Sequence, residues 1–505
     1  MTPRALLALH ERACRARAYP ETPAALAAAK RVLEGFSRRP ELRRDSERLA
    51  DTGIAGTPIH DRFFWPMARW LAARHPTLLT IDWRDPEFEP RLSAALPLLA
   101  GMAEAEAIRR LRLPAREAIE RLRRRGETDA AYLIRRLAAI RGDDRVREAT
   151  HDAIDLAYRL EGSPSGPSRT LAAYERARVA FDPPPVHVRP DLRAEIARAP
   201  RATRRLARAE GARLIDLARE AMVTRSRDLD AFAYGDPADV RLVDDGGGLA
   251  FAMIGVTPAR RLYLPAVYGA LTLRNGVPIG YVQLDVLFGN AELSFNMFET
   301  FRGGEAGFVF ARLLAAAHHE LGASSFSIEP YQLGRGNDEA IDSGAWWFYA
   351  RSGFRPRERS VARLARAELA KRARDRDYRS SRSTLLALAE AHLHWAPDAR
   401  RTGVVTPIAA IGLAAARHDG ASERTAMRRL GVRSLRGWSA GERLWLRRWA
   451  PLIEAVPRIE RWRVTERRAL VALVRAKGGR RESDYVRLSE AHRHWSDALL
   501  ALGTR

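Results

Sequence analysis

The hydrophobic period of this 505-residue chain switches from helical to strand-like and back, which limits the folds open to it. Up to about residue 180, apolar residues recur every three or four positions, as in "REAIERLRRRGETDAAYLIRRLAAI". That spacing is typical of helices with one buried face. Between Asp239 and Ser360 the period becomes two, as in strands, and after Ser360 the helical spacing returns. The pattern predicts a sheet-containing domain between two helical regions.

The strongest local signal in the central region is a hairpin. The stretch "YGALTLRNGVPIGYVQLDV" has two β-rich runs around Asn275-Gly276, a pair that readily adopts the positive φ angles of a tight turn. Further strands are predicted at "DVRLVDDGGGLAFAMIGV", "AELSFNMF" and "SSFSIEPY". Two helices, "EAGFVFARLLAAAHHELG" and "DEAIDSGAWWFYARSG", are predicted to end at Gly322 and Gly353. Strands and helices together indicate a compact α/β unit.

Connectors rich in Pro, Gly and Ser, "EGSPSGPSR" and "DPPPVHVRP", separate this unit from the N-terminal helices. We predict an α+β multidomain protein with four regions. They are an N-terminal helical domain over 1–180, a linker and helical connector over 181–238, the α/β domain over 239–360, and a C-terminal helical domain over 361–505.

The predicted C-terminal domain contains an internal repeat. The stretch "LLALAEAHLHW" over 385–395 is echoed by "YVRLSEAHRHW" over 485–495. On a helix, His392 and His394 would lie about 200° apart, so they could not hold one metal ion together. The repeat therefore predicts a duplicated helix with a buried histidine, and we predict no metal site.

Cysteine usage and hydropathy indicate the cellular setting. Cys14 is the only cysteine, which excludes an internal disulfide framework and a multi-thiolate metal site. The stretch "MTPRALLALHERACRARAYP" lacks the apolar core of a signal peptide, and no apolar run is long enough to span a bilayer. We expect a cytoplasmic protein with no membrane partner.

The net charge of +24 admits an anionic partner such as nucleic acid. However, nearly all of the positive charge is arginine, which together with abundant alanine is typical of a GC-rich, bacterial-like genome. Many arginines also alternate with acidic residues on predicted helix faces, as solvated helices do. A nucleic-acid partner is therefore only weakly supported by composition.

Three motifs of the α/β region resemble the GNAT N-acyltransferase superfamily. The hairpin "LRNGVPIGYVQL" is similar to the family's central strand pair, and "DSGAWWFYARSGF" resembles its late helix, usually Asn-x-x-Ala-x-x-hydrophobic-Tyr-x-x-x-Gly-Phe. Asp342 replaces the asparagine, and the matching residues are Ala345, Phe348, Tyr349, Gly353 and Phe354. The stretch "FRGGEAGFVFARLL" occupies the place of the coenzyme A pyrophosphate loop, with Arg302 and Gly307 matching. Glu305 stands where a glycine is usual. The resemblance covers about a quarter of the chain, 239–360.

The resemblance implies a mixed, mainly antiparallel sheet with helices, and a site that binds an acyl-CoA co-substrate. It implies the following cofactor-binding residues: Met297, Phe298, Arg302, Gly303, Gly304, Ala306 and Gly307. The backbone near Met297 and Phe298 would part from the next strand to hold the thioester, and a helix start would attract its phosphates.

Acyl transfer within this family is direct, from the thioester to an amine, and needs a base and an acid. Tyr349 matches the position of the acid, and its alternative role is a packed core tyrosine. Glu292 matches a position that carries the base, and its alternative is an exposed strand-end carboxylate. Glu299 and Glu329 are reserve bases.

The leading hypothesis is an N-acyltransferase with an amine-bearing acceptor, either a small molecule or a macromolecule. One alternative is a catalytically inactive GNAT-like protein that binds nucleic acid or protein, which Glu305 favours because of its charge in the phosphate loop. Another is an aminoacyl-tRNA-dependent transferase. Phosphate loops of the Gly-x-x-x-x-Gly-Lys type, Gly-x-Ser-x-Gly elbows and Gly-x-Gly-x-x-Gly turns are absent from the sequence.

Overall fold

The computed structural model describes residues 1–182, 189–398 and 405–503, and the chain divides into two units. Unit 1 comprises Met1–Arg176 and Asp216–Ala233, and unit 2 comprises Ala177–Ile215 and Tyr234–Arg505. The predicted boundary near residue 360 does not separate these units, because the C-terminal region belongs to the same unit as the large sheet. Most of the predicted connector "DPPPVHVRP" lies outside the described residues.

The described residues form helices throughout the chain. In chain order they are α1 (Pro3–Ala18), α2 (Pro23–Glu34), α3 (Pro40–Arg44), α4 (Trp65–Arg74), α5 (Glu89–Leu99), α6 (Met102–Leu111), α7 (Ala115–Leu122), α8 (Asp129–Ala138), α9 (Asp144–Ile154), α10 (Leu192–Ala197), α11 (Arg208–Val223), α12 (Asp230–Ala233), α13 (Ala306–Leu321), α14 (Pro330–Leu333), α15 (Asp338–Ser343), α16 (Ala345–Arg351), α17 (Arg359–Arg374), α18 (Arg382–Leu388), α19 (Ile408–Ala416), α20 (Glu423–Leu430), α21 (Ala440–Ala455), α22 (Val464–Gly478), α23 (Glu482–Ala491) and α24 (Arg493–Gly503). Short 3₁₀ helices occupy Phe36–Arg38, Glu47–Leu49, Pro86–Phe88, Pro258–Arg260, Glu299–Phe301 and Ile459–Arg461.

The strands of the described residues form two sheets. In chain order they are β1 (Ile59–Asp61), β2 (Leu79–Ile81), β3 (Tyr158–Leu160), β4 (Ala202–Arg205), β5 (Gly235–Gly246), β6 (Leu249–Val256), β7 (Ala266–Arg274), β8 (Val277–Leu287), β9 (Asn290–Met297), β10 (Ser325–Ile328), β11 (Arg355–Pro356) and β12 (Leu393–Trp395). The small sheet has the order β1-β3-β2, and the large one has the order β11-β12-β10-β9-β8-β7-β6-β5-β4.

The sequence predicts an all-α N-terminal domain, but unit 1 also contains a small sheet beside its helices. Its small sheet is antiparallel, with β3 pairing on both sides. Tyr158 and Leu160 of β3 are buried, as is Ile59 of β1. Strands of three residues carry almost no periodic signal, so their pairing depends on tertiary packing that the local sequence does not reveal.

Unit 2 contains the mixed, mainly antiparallel sheet that was predicted. Every neighbouring pair of strands in it is antiparallel except β9 and β10, which are parallel. The β7–β8 hairpin turns at Asn275 and Gly276, whose φ angles are 49° and 80°, as the Asn-Gly pair predicts. The predicted late helix is split into α15 and α16 by Gly344, which has a φ of 68°.

The C-terminal region departs from the predicted duplicated helix and from the predicted all-α character. Helix α18 ends at Leu388, and residues 393–395 form β12, which inserts between β10 and β11. The second copy of the repeat spans α23 and α24, with His492 between them. Leu393 is fully buried in the sheet, so strand pairing and burial override the helical pattern of the sequence.

The two faces of the sheet carry different elements around β9. Phe295 packs against Phe310 of α13 and Phe348 of α16, with ring centroids 5.3 and 5.9 Å apart. Side chains alternate along a strand, so Glu292 and Asn296 project from the opposite face. On the neighbouring strands β7 and β8, helix α23 packs against the sheet.

Candidate active site

Strands β9 and β10 are paired over only three residues. Asn290 to Glu292 of β9 lie beside Ser325 to Ser327 of β10. Beyond Glu292, β9 continues to Met297 with β8 as its partner, whereas β10 ends at Ile328. The second half of β9 therefore has an edge that β10 does not cover.

A cavity of about 220 Å³ lies beside this uncovered half of β9. Its walls come from the end of β9, the approach to α13, and helices α14 to α16. The lining residues are Phe295, Asn296, Met297, Arg302, Ala306, Gln332, Asn337, Glu339, Ala340, Ser343, Ala345, Phe348 and Tyr349. Aromatic and aliphatic side chains alternate there with amides and one ion pair, a composition typical of small-molecule sites.

Three of the predicted cofactor-binding residues line the cavity: Met297, Arg302 and Ala306. The other four do not. Phe298 is buried against Tyr281, with ring centroids 5.8 Å apart. Gly303 and Gly304 lie in the turn before α13, and Gly307 lies in the first turn of that helix.

Arg302 holds together two walls of the cavity. Its Nε donates to the carbonyl oxygen of Met297 at 3.1 Å, and its Nη2 donates to Glu339 Oε1 at 2.9 Å. Both charged side chains are more than two-fifths exposed. Exposed ion pairs contribute little free energy, so a bound anion could replace Glu339 as the partner of Arg302.

Glu305 does not line the cavity. Its carboxylate is buried and paired with the guanidinium of Arg274. Arg274 also donates to the carbonyl oxygen of Gly247 at 2.6 Å. The negative charge that distinguishes this loop from the family pattern is therefore compensated by a buried cation.

Tyr349 lies in the cavity wall and is surrounded by aromatic rings. The centroids of Phe310 and Phe354 lie 5.6 and 6.1 Å from its own. Burial raises the pKa of Tyr349 well above its ordinary value, and a hydrogen bond with the backbone of Phe295 offsets part of that increase. The phenol is therefore protonated at neutral pH.

The face of β9 that carries Glu292 has a group of ionisable side chains, which we call the carboxylate cluster (Asp285, Glu292, Glu329 and His392). Asp285 on β8 lies directly opposite Glu292 on β9. His392 Nε2 lies 3.2 Å from Glu292 Oε2. Glu329, which follows β10, is close enough to Glu292 and His392 for both to influence its pKa.

One member of the carboxylate cluster, Asp285, retains its proton close to neutral pH. Burial, and then repulsion by Glu292, raise the pKa of Asp285 to about 7. Burial and Glu292 likewise raise the pKa of Glu329, against the opposing effect of His392. A carboxyl group with a pKa of about 7, as Asp285 has, can exchange protons at physiological pH, which is the property that acid–base catalysis requires.

Gln332 connects the carboxylate cluster with the cavity. Its side chain lines the cavity and is hydrogen-bonded to Glu329. Tyr349 and Glu292, the two predicted catalytic residues, are thus on different sides of β9: Tyr349 in the cavity wall and Glu292 in the cluster. Glu299, a predicted reserve base, lies exposed in a 3₁₀ helix.

We expect Asp285→Asn to change the pH dependence of stability. A carboxyl group with a raised pKa binds its proton more tightly in the folded state, so the wild type loses stability as pH rises toward 7. Asparagine cannot ionise. Urea unfolding measures the free energy of unfolding of both proteins. Between pH 5 and pH 8 this free energy should fall by about 3 kcal/mol more in the wild type than in the variant.

The matched control is Asp419→Asn, which removes an exposed carboxylate from the same unit. Its stability should follow the wild type across this pH range. If Asp285→Asn also ran parallel to the wild type, Asp285 would not hold a proton near pH 7.

Neither a metal site nor a membrane span is found in the part of the chain that the structure describes. Over residues 1–182, 189–398 and 405–503, no group of three or more His, Cys, Asp and Glu side chains could hold a metal ion. Within the same ranges, every helix is too short or too polar to cross a bilayer.

Comparison with protein-family models, with curated proteins and with solved structures finds no match to the chain. The contacts around the cavity and the carboxylate cluster are therefore the basis for a proposed function.

Proposed function

We propose that unit 2 is an N-acyltransferase that moves an acyl group from an acyl-CoA thioester to an amine. The observation that carries this proposal is the cavity beside the uncovered half of β9, with Tyr349 in its wall. The carboxylate cluster on the other face of the strand supplies a candidate base. The resemblance of residues 239–360 to the GNAT superfamily supports the same chemistry.

The cavity suits the thioester end of the donor. Its volume of about 220 Å³ lies below the range of whole-ligand pockets, about 300–1,000 Å³, so the nucleotide end would lie outside. Met297 and Phe348 offer apolar contact, and Asn296, Gln332 and Asn337 offer amide groups that can pair with the amides of pantetheine.

The phosphates of the donor would lie near the start of α13. The first N–H groups of a helix have no carbonyl partner within the helix, so they attract anions. Gly307 lies in that first turn, and Arg302 supplies a nearby guanidinium. Because Glu305 is paired with Arg274, its charge is offset at this position.

The reaction would proceed by direct attack of the amine nitrogen on the thioester carbonyl carbon. A base removes the amine proton, the C–S bond breaks, and the departing thiolate takes a proton. Glu292 is the proposed base and Tyr349 the proposed acid. Backbone N–H groups along the uncovered edge of β9 would polarise the carbonyl. The carboxylates also favour an acceptor that arrives as an ammonium ion.

Binding of coenzyme A and acetyl-CoA by isothermal titration calorimetry tests the proposal. We expect a dissociation constant below about 1 mM for the wild type, within the range of ordinary substrate affinities. Ala345→Phe should abolish this binding because it fills the cavity. Ala107→Phe, at an exposed position of unit 1, is the control and should bind as the wild type does. No detectable binding by the wild type at millimolar ligand would refute the donor assignment.

The alternative of an inactive binding protein was favoured by the charge of Glu305 in the phosphate loop, and the pairing of that charge with Arg274 weakens this argument. An aminoacyl-tRNA donor remains an alternative source of the acyl group. Transfer assayed side by side with acetyl-CoA and with charged tRNA distinguishes these two donors.

A further inference from the structure

Residues 351–382 are strongly basic, with twelve Arg or Lys against four Asp or Glu. The segment runs from the last residue of α16 through β11 and α17 to the start of α18. One of its four acidic residues, Glu368, is buried and bonds to other residues of the segment. Its carboxylate accepts hydrogen bonds from Lys371 Nζ at 2.7 Å and from the Tyr378 hydroxyl at 2.8 Å. This carboxylate fixes the loop after α17 and is not on the surface.

Four arginines of this segment form what we call the arginine patch (Arg351, Arg355, Arg372 and Arg379). Arg355 Nη1 donates to two backbone carbonyl groups at 2.6 and 2.7 Å, and Arg372 Nη1 donates to a third at 2.5 Å. Arg379 Nη1 donates to that same carbonyl group, of Tyr378, and to the carbonyl group of Asp377, each at 3.1 Å. Carbonyl groups orient a guanidinium without neutralising its charge. Among the described residues, none of the four arginines forms an ion pair with a carboxylate.

Three of the patch arginines, Arg351, Arg372 and Arg379, are close enough for repulsion, and Arg189 lies near both Arg351 and Arg355. The charged neighbours of Arg351 are Arg372, Arg379 and Arg189, and that of Arg355 is Arg189. Burial and this repulsion lower the pKa of Arg351 and of Arg355. By contrast, the exposed guanidinium of Arg302 has an acidic partner, Glu339. A cluster of uncompensated guanidinium groups is stabilised when an anion binds.

The extent of the basic surface indicates a long polyanion. Helix α17 has 16 residues, so it is about 24 Å long at 1.5 Å per residue. A nucleic-acid strand has one phosphate per about 3.4 Å, so about seven phosphates fit along this length. The few phosphates of a single nucleotide or coenzyme would leave most of the surface uncovered.

We infer that the arginine patch, together with the rest of the surface of residues 351–382, docks the phosphate backbone of a nucleic acid. Guanidinium groups match phosphate oxygens in geometry and charge. Phosphate contacts position a nucleic acid without reading its bases, so binding should not depend on sequence or on the sugar. The surface adjoins α16, which carries Tyr349, but the inference does not depend on acyl transfer.

Fluorescence anisotropy with the full chain tests this inference. The probes are a labelled 24-nucleotide RNA and the DNA of the same sequence, each titrated between 50 and 200 mM NaCl. The wild type should bind both with similar affinity, which should fall as salt rises because phosphate-bound counterions are released. The fourfold variant with Arg351, Arg355, Arg372 and Arg379 all changed to Gln should lose at least about 10-fold in affinity. Its slope of log K against log salt should decrease by about 3.

The matched control changes four exposed arginines of unit 1, Arg4, Arg12, Arg109 and Arg125, to Gln. It removes the same charge and should lose less than about 3-fold. A version of the patch with four lysines should bind within about 3-fold of the wild type, because the charges remain. Equal losses in the two glutamine variants would assign binding to net charge and overturn the inference.

If the fourfold variant unfolds at a lower temperature than the wild type, the double variant Arg351→Gln with Arg379→Gln replaces it. Both of these positions are exposed. Its control is Arg4→Gln with Arg12→Gln, and the loss expected for the patch pair is about 3-fold or more. Binding to vesicles that contain phosphatidylserine is measured as a final comparison. Stronger binding to them than to either nucleic acid, lost on changing the patch, would identify a membrane surface and overturn the inference.

Discussion

Replacement of Glu292 by glutamine is expected to lower kcat for acyl transfer by about 100-fold or more, because the amine loses its base. The dissociation constant of coenzyme A should stay within about 3-fold of the wild-type value, since Glu292 is not among the residues that line the cavity. Steady-state assays of thiol release, together with calorimetry on the same preparations, measure the two quantities separately.

Glu299→Gln is the control for this prediction. It removes an exposed carboxylate only seven positions away, and its kcat should remain within about 3-fold of the wild type. Two other outcomes would transfer the role of base to a different group. If Glu292→Gln kept full activity while Asp285→Asn lost it, Asp285 would be the base. If both variants kept full activity, the carboxylate cluster would not take part in the reaction.

Replacement of Glu482 by alanine is expected to reduce the free energy of unfolding of unit 2 by about 5 kcal/mol. Glu482 is fully buried, and its carboxylate accepts a hydrogen bond from Lys477. It also lies 3.7 Å from Nε of Arg261 and 3.3 Å from the backbone nitrogen of Val267. Both cations are buried too, so removing the carboxylate leaves two positive charges without their counterion.

Urea unfolding followed by tryptophan fluorescence measures this effect, since Trp445 and Trp449 lie in the same region of unit 2. Glu490→Ala is the control, because it changes an exposed glutamate on the same helix. It should cost less than about 0.5 kcal/mol. A similarly small loss for Glu482→Ala would mean that the buried network does not hold α23 against the sheet.

The parts of the fold that the sequence predicted correctly are set by local chemistry. The β7–β8 hairpin follows from Asn275-Gly276, and the end of α13 follows from Gly322, which has a φ of 70°. The short strands β1, β3 and β12 were missed for the opposite reason. A three-residue strand has no measurable period, and what fixes it is a partner far away in the chain.

Some residues of the candidate site can likewise be recognised from the local sequence, whereas others depend on distant parts of the chain. Tyr349 and Arg302, which the motif and the loop singled out, both line the cavity. Asp285 could also have been found, because it and Glu292 are equally distant from the turn at Phe288 and Gly289. His392 could not, since it reaches Glu292 only because β12, about 100 positions later in the chain, pairs with β10.

The insertion of β12 between β10 and β11 has a consequence for biosynthesis. When Ile328 has left the ribosome, about 65 further residues must be translated before Leu393 can pair beside it. At 5 to 20 residues per second, this takes roughly 3 to 13 s. Throughout that interval the nascent chain has an open strand edge, to which another chain or a chaperone can add. Slower translation of this segment should therefore increase aggregation of the newly made protein.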